Sequence, residues 1–331
     1  MGVRIHEVAV RAGVSVATAS RALSGQRGVR AENRDRVLAA ARELDYEPNA
    51  VAAALRSRVT HTIGMIVPRI SNPFFATLVE AVEGRLQDGR RSLLLAGSHY
   101  DPEVERQQVR SLLDRRVDAL VAVPCHQHHS TETIGNAAER VPVTQLDLRV
   151  DGFHGDWVGV DNEAGVFQVV DHLAALGAHS LAFVGSHPSD SSAQARLDGY
   201  ERAAARHAHH SGPVLLGDFS KEWGRQAAEK LMDSEGLPDA VVCGNDTIAL
   251  GVLAALIERG VRVPEEVMVT GFDDIPYAEL SRPALTTVRQ PQERLAAEAV
   301  RLLTSVMEGE QRPPQRIAVA PDLLVRGSTK R

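Results

Sequence analysis

Side chains able to hold a small polar molecule recur along this chain, each at the end of a short apolar run. Asn72, Phe74 and Phe75 follow the run at 62–67, Ser98 follows 92–96, Cys125 and His126 follow 119–123, and Asp147 follows 143–146. Further on, Asp161 follows 158–160, Ser192 and Arg196 follow 181–184, Phe219 and Trp223 follow 214–216, Asn245 and Asp246 follow 240–243, and Asp273 follows 267–270. Carboxylates and amides bond hydroxyl groups, a planar guanidinium holds two neighbouring oxygens, and aromatic rings stack on an apolar molecular face. This is the chemistry of binding. Turnover lacks its signatures: there is no G-x-S-x-G elbow and no G-x-x-x-x-G-K-[ST] loop, and the neighbours Asp273 and Asp274 are not an acid–base pair by adjacency alone. Neither an enzyme nor a cofactor is expected. The stretch 125–129 reads Cys-His-Gln-His-His, but no second cluster at ligand spacing accompanies it, so no metal is expected.

These residues need a scaffold that gathers strand ends. The apolar runs alternate with amphipathic stretches at 74–88, 104–115, 164–176, 193–207, 222–232 and 247–259, and Gly89, Gly177 and Gly260 mark helix ends. The alternation predicts parallel sheets covered by helices on both faces, and about ten strands suit two such sheets. Ligands of such sheets sit beyond the carboxyl ends of the strands, where the binding residues fall. The mixture resembles a carbohydrate pocket. Asp161 and Asp246 have an alternative use as helix caps, and Asp274 as a support for its own loop.

The first sixty residues are different. They carry ten Arg against six acids, a net charge of +4 in a chain of net charge −6, which leaves −10 for the remainder. A basic head on an acidic body suggests a polyanion-binding module attached to a domain with other work. Ile5, Val8, Ala9 and Ala12 form one face of a short helix, Gly13 permits a tight turn, and Ser15 can cap a second helix running to about Leu23. In that helix Ala19 and Leu23 face inward with Val14, leaving Val16, Ala17, Ser20 and Arg21 outside. Val37, Ala41 and Leu44 predict a third helix, stopped by Pro48. This is the pattern of a helix-turn-helix with an exposed recognition helix. The 331 residues contain no apolar run long enough to span a membrane, and residues 1–10 no signal-like stretch; with only Cys125 and Cys243, far apart, a reducing cytoplasm is expected.

Specific motifs then sharpen the reading. Residues 5–9 (IHEVA), 12–23 (AGVSVATASRAL) and 46–56 (YEPNAVAAALR) resemble the head and hinge helix of the lactose-repressor (LacI/GalR) family. The resemblance continues in order through 70–75 (ISNPFF), 160–162 (VDN), 244–246 (GND), 271–276 (GFDDIP) and 285–291 (LTTVRQP). Arg30 and Asn33 depart from it at the start of the third helix, where Ser or Thr is usual, and Ala19 replaces a more usual Val.

The resemblance implies an α-helical head at 1–46, a hinge helix and linker at 47–60, and a two-lobed α/β body at 61–331 of the periplasmic-binding-protein type. Its lobes would comprise 61–160 with 290–320, and 161–289 with 321–331, joined by crossovers near Asp161, Arg289 and Pro321. It implies a homodimer on a pseudo-palindromic operator, controlled by a small polar effector, of sugar type. Ser15, Thr18 and Asn49 suit phosphates, Val16 and Ala17 a thymine methyl or close approach, and Arg21 the O6 and N7 of guanine, with a phosphate as its alternative. Leu55 is the implied minor-groove wedge, flanked by Arg56; its alternative is an anchor for the hinge. Effector contacts are expected from Asn72, Phe74, Phe75, Asp147, Ser192, Arg196, Phe219, Asn245 and Asp273. The final motif at 324–329 is followed by no leucine heptad, so a dimer is expected in place of a tetramer. Whether the effector loosens or tightens the grip on DNA is not legible in the residues.

Overall fold

The computed structural model describes residues 3–23, 28–46, 59–207, 210–234 and 236–330. The chain divides into two compact units, Met1–Thr60 and His61–Arg331.

The first unit holds α1 (Ile5–Ala12), α2 (Val16–Leu23) and α3 (Ala31–Glu43). Val8, Ala9, Ala12, Ala19, Ala22, Val37, Ala40 and Ala41 form its small core. Small residues let the helices approach closely. Gly13 ends α1 at φ 63°, and its N–H reaches the carbonyls of Ala9 and Val10. A side chain there would be strained in the left-handed region, so the sharp turn into α2 depends on glycine.

The second unit contains two six-stranded sheets. In chain order its first part is β1 (Thr62–Val67), α4 (Pro73–Asp88), β2 (Ser92–Gly97), α5 (Pro102–Asp114), β3 (Ala119–Ala122), α6 (Thr131–Ala138), β4 (Val143–Leu146) and β5 (Asp156–Val160). Then follow α7 (Asn162–Ala175), β6 (Ser180–Ser186), α8 (Ser191–Arg206), β7 (His210–Gly217), α9 (Lys221–Met232), β8 (Ala240–Cys243), α10 (Asp246–Glu258), β9 (Met268–Asp273), α11 (Pro276–Leu280) and β10 (Thr286–Arg289). The chain closes with α12 (Gln292–Met307), β11 (Arg316–Val319) and β12 (Asp322–Leu324). The first sheet has the order β11-β5-β4-β3-β1-β2 and the second β12-β10-β9-β8-β6-β7. All pairings are parallel except β10 with β12. The chain therefore passes between the sheets three times: after β5, after β10, and between β11 and β12.

Central strands are buried on both faces, as helix-covered parallel sheets require: every residue of β3, β4, β8 and β9 is inaccessible. The loops after β1, β6, β7 and β8 lead into capped helices. Asn72 accepts a hydrogen bond from the Phe74 N–H, Asp190 from Ser192 and Ala193, Ser220 from Trp223, and Asn245 from Ile248. Such caps stabilise each helix start by about 1 kcal/mol and fix where the strand-end residues point. Among the described residues no helix is long and apolar enough to cross a membrane.

Several helix starts lack a side-chain cap, and in the head the start of α3 is one of them. Arg30 stands at the cap of α3 and makes no side-chain cap bond. Arg30→Ser should add about 0.5–1 kcal/mol to the stability of α3. Native-state hydrogen exchange should then show the α3 amides protected about two- to five-fold more strongly. Unchanged protection would mean that the start of α3 does not limit the opening of the head.

Candidate effector cleft and DNA-reading helix

The strand ends of the body converge on one cavity. Asn72, Phe74, Phe75, Asp147, Ser192, Arg196, Phe219, Asn245 and Asp273 all line it, joined by Tyr100, Leu148 and Asp190. Only about 20 Å³ is open inside, because the two lobes close on one another. The Gln127 N–H donates to the Ser189 carbonyl (2.9 Å) and the Arg149 N–H to the Ser191 hydroxyl (3.0 Å), each bond crossing from the first lobe to the second. Tyr100 stacks on Phe219 across the same gap, with ring centroids 6.0 Å apart and planes 14° from parallel, and the Arg69 guanidinium lies 5.2 Å from the Tyr100 ring. A larger groove of about 680 Å³ runs over the outer face between α4 and α12, lined by Arg85, Arg301 and Glu308 among others. It gathers no strand ends and no aromatic rings.

Arg196 is the centre of the cleft. Its side chain is 5% exposed, and its Nε donates to Asn162 (2.8 Å) and Nη1 to the Gly244 carbonyl (2.7 Å), while Nη2 lies 3.3 Å from Asp273. The guanidinium carbon sits 3.8 Å from the centroid of the Phe272 ring. The Arg is thus fixed by an aromatic face and three acceptors. Asp273, at the end of β9, also accepts from Gln290 (2.8 Å). Burial pushes its carboxyl above the usual range, while Arg196 and Gln290 pull it back. Asp147, at the end of β4, has no comparable help. Its Oδ1 is buried without a hydrogen-bond partner. Burial drives its carboxyl up to about 8; Arg196 opposes this, and Asp273 and Asp190 add to it.

Other strand-end residues serve the frame. Asp161 caps α7 through the Ala164 N–H (2.9 Å), the alternative foreseen for it. Asp246 is fully buried and does not line the cavity; it accepts from the Ile275 N–H (2.8 Å) and the Thr287 hydroxyl. Asp274 is held between Arg289 (2.8 Å) and Arg326 (2.7 Å). Trp223 turns its indole N–H to the Gly185 carbonyl (2.9 Å). His126 stacks on His129 at 4.0 Å and accepts from the backbone N–H groups of His128 and His129, so the 125–129 stretch is a compact turn. The Cys125 thiol is raised to about 12, by burial first and then by nearby Glu105, and stays protonated at neutral pH. Among the described residues no three His, Cys, Asp or Glu side chains are grouped to hold a metal ion.

In the head, Ser15, Val16, Ala17 and Arg21 are exposed along α2. The Ser15 hydroxyl accepts from the Thr18 N–H (3.2 Å) and pairs with the Thr18 hydroxyl (2.9 Å), which sets the first turn of the helix. Arg21 Nε reaches back to the Ala17 carbonyl (3.3 Å). Asn49, Leu55 and Arg56 lie outside the described residues.

Residues 4–49 match the lacI family of bacterial regulatory proteins and residues 170–329 a periplasmic binding protein-like domain. The HTH-type transcriptional repressor PurR of Haemophilus influenzae is 32% identical over 98% of both chains. The chain belongs to the lacI family. A second member, the HTH-type transcriptional regulator DegA of Bacillus subtilis, is 31% identical over 99% of this chain and 98% of its own. Among solved structures, the lac repressor dimer bound to operator and the anti-inducer ONPF superposes with a TM-score of 0.91 at 28% identity over 99% of both chains. The CelR–cellobiose complex gives 0.75 at 28% identity over 98% of this chain and 99% of that one. The chain is thus a DNA-binding transcriptional regulator, with a helix-turn-helix head and a two-lobed α/β body.

The unpartnered Asp147 makes stability depend on pH. Unfolded, its carboxyl titrates near 3.9; folded, it holds its proton to about 8. The stability this proton contributes is full below about pH 4 and is lost as the pH rises to about 8. Asp273 and Asp246 shift in the same direction. Asp147→Asn should therefore melt at higher temperature than the parent, the gain growing from pH 5 to pH 8 toward about 1–3 kcal/mol. A gain that does not change with pH would show that Asp147 is not the strained acid.

Proposed function

We propose that this lacI-family regulator is a repressor that binds a pseudo-palindromic operator as a homodimer and is switched by a small polar effector of sugar type held between the lobes. The observation that carries the effector reading is the rigid Arg196, anchored on Asn162, Gly244 and Asp273 at the meeting point of aromatic and acidic side chains from both lobes. Phe74, Phe75 and Phe219 offer flat apolar faces; Asn72, Asp147, Ser192, Asn245 and Asp273 offer polar edges. A ligand entering so small a cavity must part the lobes, breaking the bonds at Gln127 and Arg149 and the Tyr100–Phe219 stack. Ligand binding is thereby coupled to lobe closure, the movement that would be transmitted to the hinge. Two solved relatives carry ligands or operator in keeping with this: one is a cellobiose complex and one a dimer on operator DNA.

On DNA, α2 is the recognition helix. Arg21 reads a guanine, Val16 and Ala17 meet the groove floor, and Ser15 and Thr18 place the helix start against phosphate, with Asn49, Leu55 and Arg56 of the hinge completing the contact. Proteins of this class work inside the cell, in the cytoplasm with the chromosome, and Arg21 would act there without any catalytic step.

Two measurements test this reading. Arg21→Ala should weaken operator binding by about 1–3 kcal/mol and relax base choice at one position in each half-site. An unchanged selected sequence would assign Arg21 to phosphate. Arg196→Ala and Asp273→Ala should each lose about 1–3 kcal/mol or more of effector affinity in calorimetry while retaining a cooperative melt. Parental affinity in both would place the effector elsewhere.

A further inference from the structure

The donors and acceptors of the cleft do not balance. Arg196 gives Nε to Asn162 and Nη1 to Gly244, and turns Nη2 toward Asp273. The side-chain oxygens of Asn72 and Asn245 are committed to the first turns of their helices, and so is Asp190 Oδ1, which takes bonds from Ser192 and Ala193. Asp147 stands apart. It is 3% exposed, it lines the cavity, and its Oδ1 has no partner. The charged groups that face it from the packed elements are Asp273, Asp190 and the single guanidinium of Arg196. Around Asp147, two further acids and one fixed cation thus share a closed space, while the Arg69 guanidinium lies on the Tyr100 ring. A buried carboxyl without a donor is costly, and a second cation would remove that cost.

We propose that the effector of this cleft is a polyhydroxylated amine whose protonated nitrogen docks on Asp147. This rests on the reading of the cleft as the effector site and specifies its ligand. The hydroxyl groups of such a molecule meet Asp190, Asp273 and Asn245, its apolar face lies against Phe219, and its ammonium supplies the donors that the protein withholds from Asp147. The ammonium binds the ionised carboxylate, so the proton that burial keeps on Asp147 goes to solvent when the amine arrives protonated and to the amine when it arrives neutral, and affinity for an amine that stays protonated rises between about pH 6 and pH 8.

The test is calorimetry of the full-length protein with matched pairs: glucosamine and glucose, galactosamine and galactose, mannosamine and mannose, and deoxynojirimycin and 1-deoxyglucose. At least one amine should bind about tenfold or more tightly than its neutral partner at pH 7.5. For an amine that is protonated when free, proton release should appear as a heat that varies with the ionisation enthalpy of the buffer. Asp147→Asn, checked by its melt to be folded, should erase both the preference and the proton release. A neutral sugar that equals or exceeds its amine, a preference that survives in Asp147→Asn, or a panel in which no amine binds would each overturn the proposal. The Arg196→Ala variant separates this from failure of the effector site itself. Neutral-sugar binding abolished by Arg196→Ala leaves the cleft as the effector site and removes only the amine; binding of any of these molecules undiminished in Arg196→Ala removes the cleft.

Discussion

The organisation of the cleft depends on one buried guanidinium. Taking Arg196 out of water would cost several kcal/mol without compensation, and the second lobe is arranged to compensate it. Asn162 at the start of α7, the Gly244 carbonyl after β8 and Asp273 at the end of β9 are drawn to one point, with the Phe272 ring beneath. Three separate segments are therefore held in register by one side chain. Lysine could not replace it, because a single ammonium cannot span these acceptors in a plane or lie flat on the ring. The arrangement also sets the electrostatics of the far wall: Arg196 is close enough to restrain Asp273 and too heavily engaged to satisfy Asp147.

Much of this was legible in the residues. The strand at 62–67 and those at 143–146 and 240–243 stand where apolar runs predict them, since strands buried on both faces must read as continuous apolar stretches. All nine expected effector residues line one cavity, because strand carboxyl ends in a parallel sheet share one side. The edge strands β2 and β7 carry apolar runs of their own, but β11 and β12 were not legible. β11 is exposed or half-buried except at Val319 and is set beside β5 by the Arg312 fork on Asp156, with both contacts at 2.8 Å across a long separation in sequence. Such a strand is defined by its partner and not by its own pattern. Tyr100 and Asp190 were missed for a related reason. Tyr100 reaches the cleft through consecutive left-handed residues, His99 at φ 55° and Tyr100 at φ 61°, a conformation that no periodicity announces. Asp190 carries the usual signature of a helix cap, and only its second oxygen hints at another use.

The head and body obey different physics. The head is held by small apolar residues and depends on a glycine turn. The body has extensive cores under both sheets, and its cleft holds positive φ angles at Tyr100, Asp147 and Asp273 together with an Asp147 oxygen that has no partner. Strain gathered where a ligand would sit is strain that a ligand can relieve, and this gives an effector differential affinity for one lobe arrangement over another.

A regulator of this build would couple ligand in the cleft to operator under α2. Coupling of two binding equilibria is reciprocal, so it is measured most directly by titrating the effector into the full-length protein alone and into the protein saturated with its selected operator, and by comparing the two dissociation constants. The two constants should differ by at least about fivefold, matched by an equal factor in operator affinity with and without effector. Equal effector affinity in the two states, with both ligands bound, would contradict it.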